Sequence, residues 1–285
     1  MTDLFHFSLD QDAINTESLF CSTFIKYSTL AEAINALISP IFLSSQNNHL
    51  MPYKVCIEDI ANQFEMDGQQ KENKGIEPSY HNRQHTKEVL LSLLLLLSQR
   101  EDNCSKADFS LWPPFNFHQR LLIMIAALGH DYLHPGGLNQ KDAEFELASA
   151  TAIKKILAKY DLPYEDIQIV DELILGTEFK NAKIAHIFEK TWTSKEAMPW
   201  IPRAKILLTE ADICASALPN YGLKLASKLA YEWKQSQVQD GEMLLSLDGR
   251  KKFLHTIFFS SPHAKCLGLD VIVKKQLSYL EKELM

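Results

Sequence analysis

Apolar residues recur three and four apart along most of the chain, and alternating β-branched runs are scarce. Phe24, Ile25, Leu30, Ala33, Ile34, Leu37 and Ile38 follow this spacing, and Pro40 closes the run. Further helices are predicted over 84–98, 119–129, 142–159, 164–176, 202–217, 221–235 and 270–283. Breakers such as Pro113-Pro114 and Pro135-Gly136-Gly137 fall between these runs. The pattern predicts an all-α fold. Two stretches, Val89–Leu97 and Leu121–Leu128, are apolar almost throughout and too short to cross a bilayer, so they read as buried core helices. The polar segment from Asp67 to Pro78 reads as a flexible joint. It separates an N-terminal helical part, 1–79, from the remainder, 80–285, within what is expected to be one compact unit. Residues 235–250 are polar and read as a loop.

Composition narrows the function classes. The chain has 285 residues, 46% hydrophobic and 23% charged, enough to bury a core without staples. A bound metal would therefore serve chemistry sooner than folding. The net charge of −7 argues against a nucleic-acid partner, which needs a basic face, but leaves room for a small anion held by a metal. Five cysteines, Cys21, Cys56, Cys104, Cys214 and Cys266, are odd in number, far apart and without a CxxC pair. They read as free thiols of a cytoplasmic or other reducing compartment. The opening MTDLFHFSLDQD lacks the basic and apolar regions of an export signal, and no run is long enough for a membrane span.

Histidine and aspartate placement carries the chemistry. In Tyr80-His81-Asn82-Arg83-Gln84-His85 the two histidines are four apart and share one face if the segment is helical. His85 leads into the apolar run, where its ring needs a partner, and a metal is one. Gly129-His130-Asp131-Tyr132-Leu133-His134 follows the second apolar helix, and a His-Asp pair there offers a metal both nitrogen and oxygen. Asp212 sits inside a third apolar stretch, Leu207–Ile213, where an acid is costly unless paired or metal-bound, while Glu210 faces elsewhere. The remaining histidines, His6, His49, His118, His186, His255 and His263, read as core or surface residues.

In order and spacing these residues resemble the class I cyclic-nucleotide phosphodiesterases, a branch of the HD-domain metal phosphohydrolases. The family motif YHNxxHAxDV is met by Tyr80 to Val89, with Thr86 for alanine and Glu88 for aspartate. HDxxHxxxxN is met by His130, Asp131, His134 and Asn139, and a later Ala-Asp pair by Ala211 and Asp212. Leu175-Gly176-Thr177-Glu178 is similar to the family's Leu-Ala-Thr-Asp. The family's Leu-Glu-Asn-His-His has no equivalent in Glu146–Thr151. Arg250 stands three residues before Phe253, where the family carries a purine-binding glutamine before a base-stacking phenylalanine.

The resemblance implies a compact multi-helix domain with a binuclear centre. His85, His130, Asp131 and Asp212 would hold the tighter metal, zinc, and Asp131 would bridge to a magnesium or manganese. His81 would be the general acid. Tyr80, His134, Asn139, Thr177 and Phe253 would orient waters or line the substrate pocket. The implied activity is hydrolysis of a 3',5'-cyclic nucleotide, cyclic AMP or cyclic GMP, to the 5'-monophosphate. The altered glutamine position keeps two alternatives open: a phosphohydrolase of another nucleotide or phosphate ester, and a degenerate nucleotide-binding sensor.

Overall fold

The computed structural model describes residues 11–38, 42, 49–105, 107–238 and 241–284, so the readings of His6, of Pro40 and of the first ten residues lie outside it. Among the described residues there are thirteen α-helices and no strand, as the periodicity predicts. In chain order they are α1 (Gln11–Ile25), α2 (Leu30–Leu37), α3 (Met51–Asn73), α4 (Arg83–Ser98), α5 (Phe117–Gly129), α6 (Glu144–Leu157) and α7 (Tyr164–Leu175). There follow α8 (Phe179–Thr191), α9 (Trp200–Ala217), α10 (Pro219–Gln235), α11 (Leu247–Thr256), α12 (Pro262–Cys266) and α13 (Leu269–Glu283).

The two leucine-rich runs form the centre. Val89 to Leu93 on α4 and Leu121 to Gly129 on α5 are buried on every side, so neighbours must surround both helices. α9 lies along α4, α7 packs on α5 and α6, and α3 covers α5. The resulting apolar cluster is continuous from Phe20 to Leu280 and draws on residues before and after position 79. No described helix is long and apolar enough to cross a membrane.

Several local expectations are corrected. The run from Phe24 to Ile38 is two helices, because Thr29 caps α2 by accepting the Glu32 N–H while the Leu30 N–H donates to Glu65 at 2.7 Å. The expected joint at 67–78 is helical through Asn73. Its Gly68 marks a close approach, since a Cβ there would lie 2.3 Å from Cδ of Arg83, whose guanidinium bonds Glu72 and Glu77. The expected loop at 235–250 contains a short 3-10 turn, Gly241–Leu245, and the start of α11. The polar sequence of α11 hid it, as charges on the outer face of α8 hid that helix.

The thiol reading is corrected too. Cys104 and Cys266 form a disulfide, with Cα atoms 5.8 Å apart, and only Cys21, Cys56 and Cys214 are free. The argument for a reducing compartment loses that support. Unreduced chain unfolded in denaturant should therefore show three reactive thiols, and five after reduction, when titrated with a thiol reagent.

His186 and His263 are core residues as read. His186 Nδ1 meets the Ser260 hydroxyl at 2.7 Å, and His263 Nδ1 donates to the Leu96 carbonyl at 3.0 Å. Burial pushes both imidazoles from 6.5 down to about 4. Folding therefore excludes protons that the unfolded chain accepts below 6.5, so stability present above that pH is lost as pH falls toward 4. The urea midpoint should drop between about pH 7 and about pH 5, and His263→Gln should flatten that drop.

Candidate metal centre

Two helix ends and the body of a third helix bring the motif residues together. Asn82 is the N-cap of α4, its Oδ1 accepting the Gln84 and His85 N–H groups at 2.9 and 3.2 Å. His85 falls in the first turn and is buried, whereas His81 precedes the helix, so the shared helical face expected for the two histidines does not exist. α5 ends at Gly129, where a Cβ would lie 2.6 Å from Cγ1 of Ile153, and this close approach of α6 places His130 and Asp131 at the helix terminus. Asp212 comes from the middle of α9.

The ligand atoms of His85, His130, Asp131 and Asp212 all lie within 4.8 Å of one another. His85 Nε2 is 3.2 Å from Asp131 Oδ2 and 3.1 Å from Asp212 Oδ1, and His130 Nε2 is 3.2 and 3.4 Å from the same two oxygens. His130 is 1% exposed, and its Nδ1–H donates to the Ala127 carbonyl at 2.9 Å. That bond fixes the neutral tautomer with a bare lone pair at Nε2. This buried atom has no hydrogen-bond partner and faces two carboxylate oxygens. Lone pair against carboxylate is repulsive unless a positive charge lies between them. Two imidazole nitrogens and two carboxylates suit a divalent cation there.

Protons are the competitor. Burial opposes charge on His85, but its hydrogen bonds to Asp131 and Asp212 outweigh that and raise its pKa to about 9. His130 is likewise raised well above its ordinary value, burial being overcome by the same two carboxylates. Asp131 and Asp212 are held below the usual carboxylate range, since the charge of His130 prevails over burial.

His81 stands beside the quartet with a partner that its sequence neighbours do not reveal. Its Nδ1–H donates to Glu232 Oε1 at 2.5 Å, and the Tyr80 and His81 backbone N–H groups donate to Glu232 Oε2 at 2.8 and 3.0 Å. Glu232 belongs to α10 and is 3% exposed. The signal was present: Glu232 lies seven residues after buried Leu225, an acid on an apolar stripe. The His134 ring stacks on His81 with centroids 3.8 Å apart, and His134 Nδ1 accepts the Gly136 N–H at 3.1 Å. Burial and the neighbouring charge of His81 push His134 down to about 4, so it is neutral with its proton on Nε2. His81, His134 and Glu232 also form a group that could hold a cation, but the short bond between Glu232 and His81 already satisfies the carboxylate. Tyr80 shares a 2.7 Å hydrogen bond with Ser216, and its ring centre lies 4.8 Å from that of His85.

The other candidates are less central. Asn139 binds Glu146 Oε2 at 2.9 Å and the Phe145 N–H at 2.9 Å. Glu146 itself, on α6, is pushed up by burial and by the charges of Asp131 and Glu178. Thr177 donates to the Ile174 carbonyl at the end of α7, and Glu178 caps α8. Neither Thr177 nor Phe253 bonds to the quartet. Phe253 is partly buried in the core, with the Arg250 guanidinium 5.4 Å from its ring centre. Arg250, 2% exposed, binds the carbonyls of Ser216 and Leu218 at 2.8 and 3.0 Å and Gln276 at 2.6 Å. It neutralises the C-terminus of α9 and does not stand in for a base-reading glutamine. Glu210 does face elsewhere, accepting the Ser260 and Ser261 N–H groups at 2.7 and 2.8 Å.

Comparison with protein-family models and with curated proteins returns no match. Chain purified without chelator should carry a divalent metal by elemental analysis, and Asp131→Ala should lower that content. Affinity should fall with pH, because His85 and His130 must shed protons to bind.

Proposed function

We propose that the chain is a metal-dependent phosphodiesterase acting on a 3',5'-cyclic nucleotide. The observation that carries this reading is the convergence of His85, His130, Asp131 and Asp212 beside a His81–Glu232 pair. His85, His130, Asp131 and Asp212 would hold zinc, and the remaining oxygen of Asp131 suits a magnesium or manganese. When bound, such a pair of cations supplies an acidified water nucleophile and neutralises phosphate oxygens.

The chain's own groups do the rest. Glu232 fixes Nδ1 of His81 and sets the ring, leaving Nε2 to hand its proton to the leaving oxygen. Neutral His134 offers its Nε2–H as a donor toward a water or a phosphate oxygen. Asn139 steadies Glu146.

The position of Arg250 favours a second reading. With its guanidinium committed to α9 and Gln276, the glutamine-based purine contact is missing, which suits another nucleotide or a simpler phosphate ester.

His81→Ala should keep its metal yet lose about 100- to 10,000-fold in turnover. Cyclic AMP, cyclic GMP and a generic phosphodiester, assayed with and without magnesium or manganese, separate the readings. Metal-dependent release of a nucleoside monophosphate supports the first. Activity on the generic ester alone supports the second, and full activity of His81→Ala removes that residue from the mechanism.

A further inference from the structure

The segment that carries His130, Asp131 and His134 contains a backbone conformation that its own residues do not favour. Leu133 has φ 68°, in the left-handed region, and is not glycine. Its side chain is 48% exposed and so contributes little packing to hold the turn. A strained residue persists where its surroundings over-determine it.

Those surroundings are on the page. The preceding residue, Tyr132, is buried and gripped at both ends. Its ring lies 5.6 Å from the ring of Phe64 on α3, and its hydroxyl donates to Asp67 Oδ2, also on α3, at 2.7 Å. On the other side the Tyr132 carbonyl accepts the Ser149 hydroxyl of α6 at 2.7 Å. Two turn bonds, Tyr132 N–H to Gly129 O at 3.2 Å and His134 N–H to Asp131 O at 3.0 Å, complete the fold of the segment. A cavity of about 20 Å³ lies at this junction, lined in part by Asp67, Tyr132, Asp131, His81 and His134.

We propose that Asp67 and Tyr132 are positioning residues for the metal centre. Pinned by α3, Tyr132 holds Leu133 left-handed, and this turn is what aims Asp131 on one side and His134 on the other into the same space. The N-terminal helices thereby take part in setting the geometry of the centre. The inference rests on the metal-centre reading above.

The test is zinc affinity measured by competition with a chromogenic chelator. Tyr132→Phe keeps the ring and Asp67→Ala removes only the acceptor on a helix that alanine favours, so both should retain the wild-type helix content by circular dichroism. Each should weaken zinc binding by about tenfold. The double variant should be no weaker than either single one, because both remove the same bond. Adding Leu133→Gly to Tyr132→Phe should recover most of the loss, since glycine adopts the left-handed turn without strain. A purely structural effect would not be rescued in this way. Wild-type affinity in both single variants, or failure of the glycine rescue, overturns the inference while the metal centre stands. A wild-type chain that binds no zinc overturns the metal reading and this inference with it.

Discussion

Two carboxylates and two buried imidazoles occupy one small volume, and that arrangement is stable only with positive charge at its centre. His130 makes the constraint sharp. The Ala127 carbonyl takes one ring proton, so the nitrogen that faces Asp131 and Asp212 must either gain a proton or bind a cation. Proton and metal compete for the same lone pair. The rest of the site follows from keeping these groups close while water is mostly excluded.

Holding them close falls to helices far apart in sequence. Glu17 of α1 accepts the Asn220 and Tyr221 N–H groups at 2.8 and 2.7 Å, capping the helix that delivers Glu232. Lys87, within the first motif, donates to the Tyr27 carbonyl at 2.8 Å. Tyr160 reaches back to Asp59 of α3 at 2.5 Å. Such buried or half-buried polar ties cross from the first 79 residues to the helices of the centre. A boundary drawn at residue 79 separates sequence, but it does not separate cores.

Much of this was legible in the residues. The leucine-rich helices and the all-α class follow from periodicity, which is local, whereas the grouping of His85, His130, Asp131 and Asp212 was implied by the resemblance in motif order. What stayed hidden depends on partners distant in sequence. Glu232 looks like an ordinary helix acid until α10 is packed, and the carbonyl partners of Arg250 emerge only once α11 meets the end of α9. The segment from Asp67 to Pro78 reads as a flexible joint, yet its Gly68 is a close contact with Arg83. The break at Lys26–Thr29 escaped because apolar spacing continues across it, and only the cap at Thr29 reveals a new start. The pairing of Cys104 with Cys266 could not be read from spacing, since 162 residues separate them.

That pairing draws a ring through the chain. Inside it lie His130, Asp131, His134, Asp212 and Glu232; outside it lie Tyr80, His81 and His85. A crosslink across so long a loop acts mainly on the unfolded ensemble, removing on the order of 5 kcal/mol of chain entropy in the simple closure model. The ring keeps three of the four clustered groups, His130, Asp131 and Asp212, tethered in the denatured chain, while His85 and the rest of the first motif lie outside it. An oxidised chain thus searches for the second and third motifs within one closed loop, whereas a reduced chain must assemble all three from an open coil.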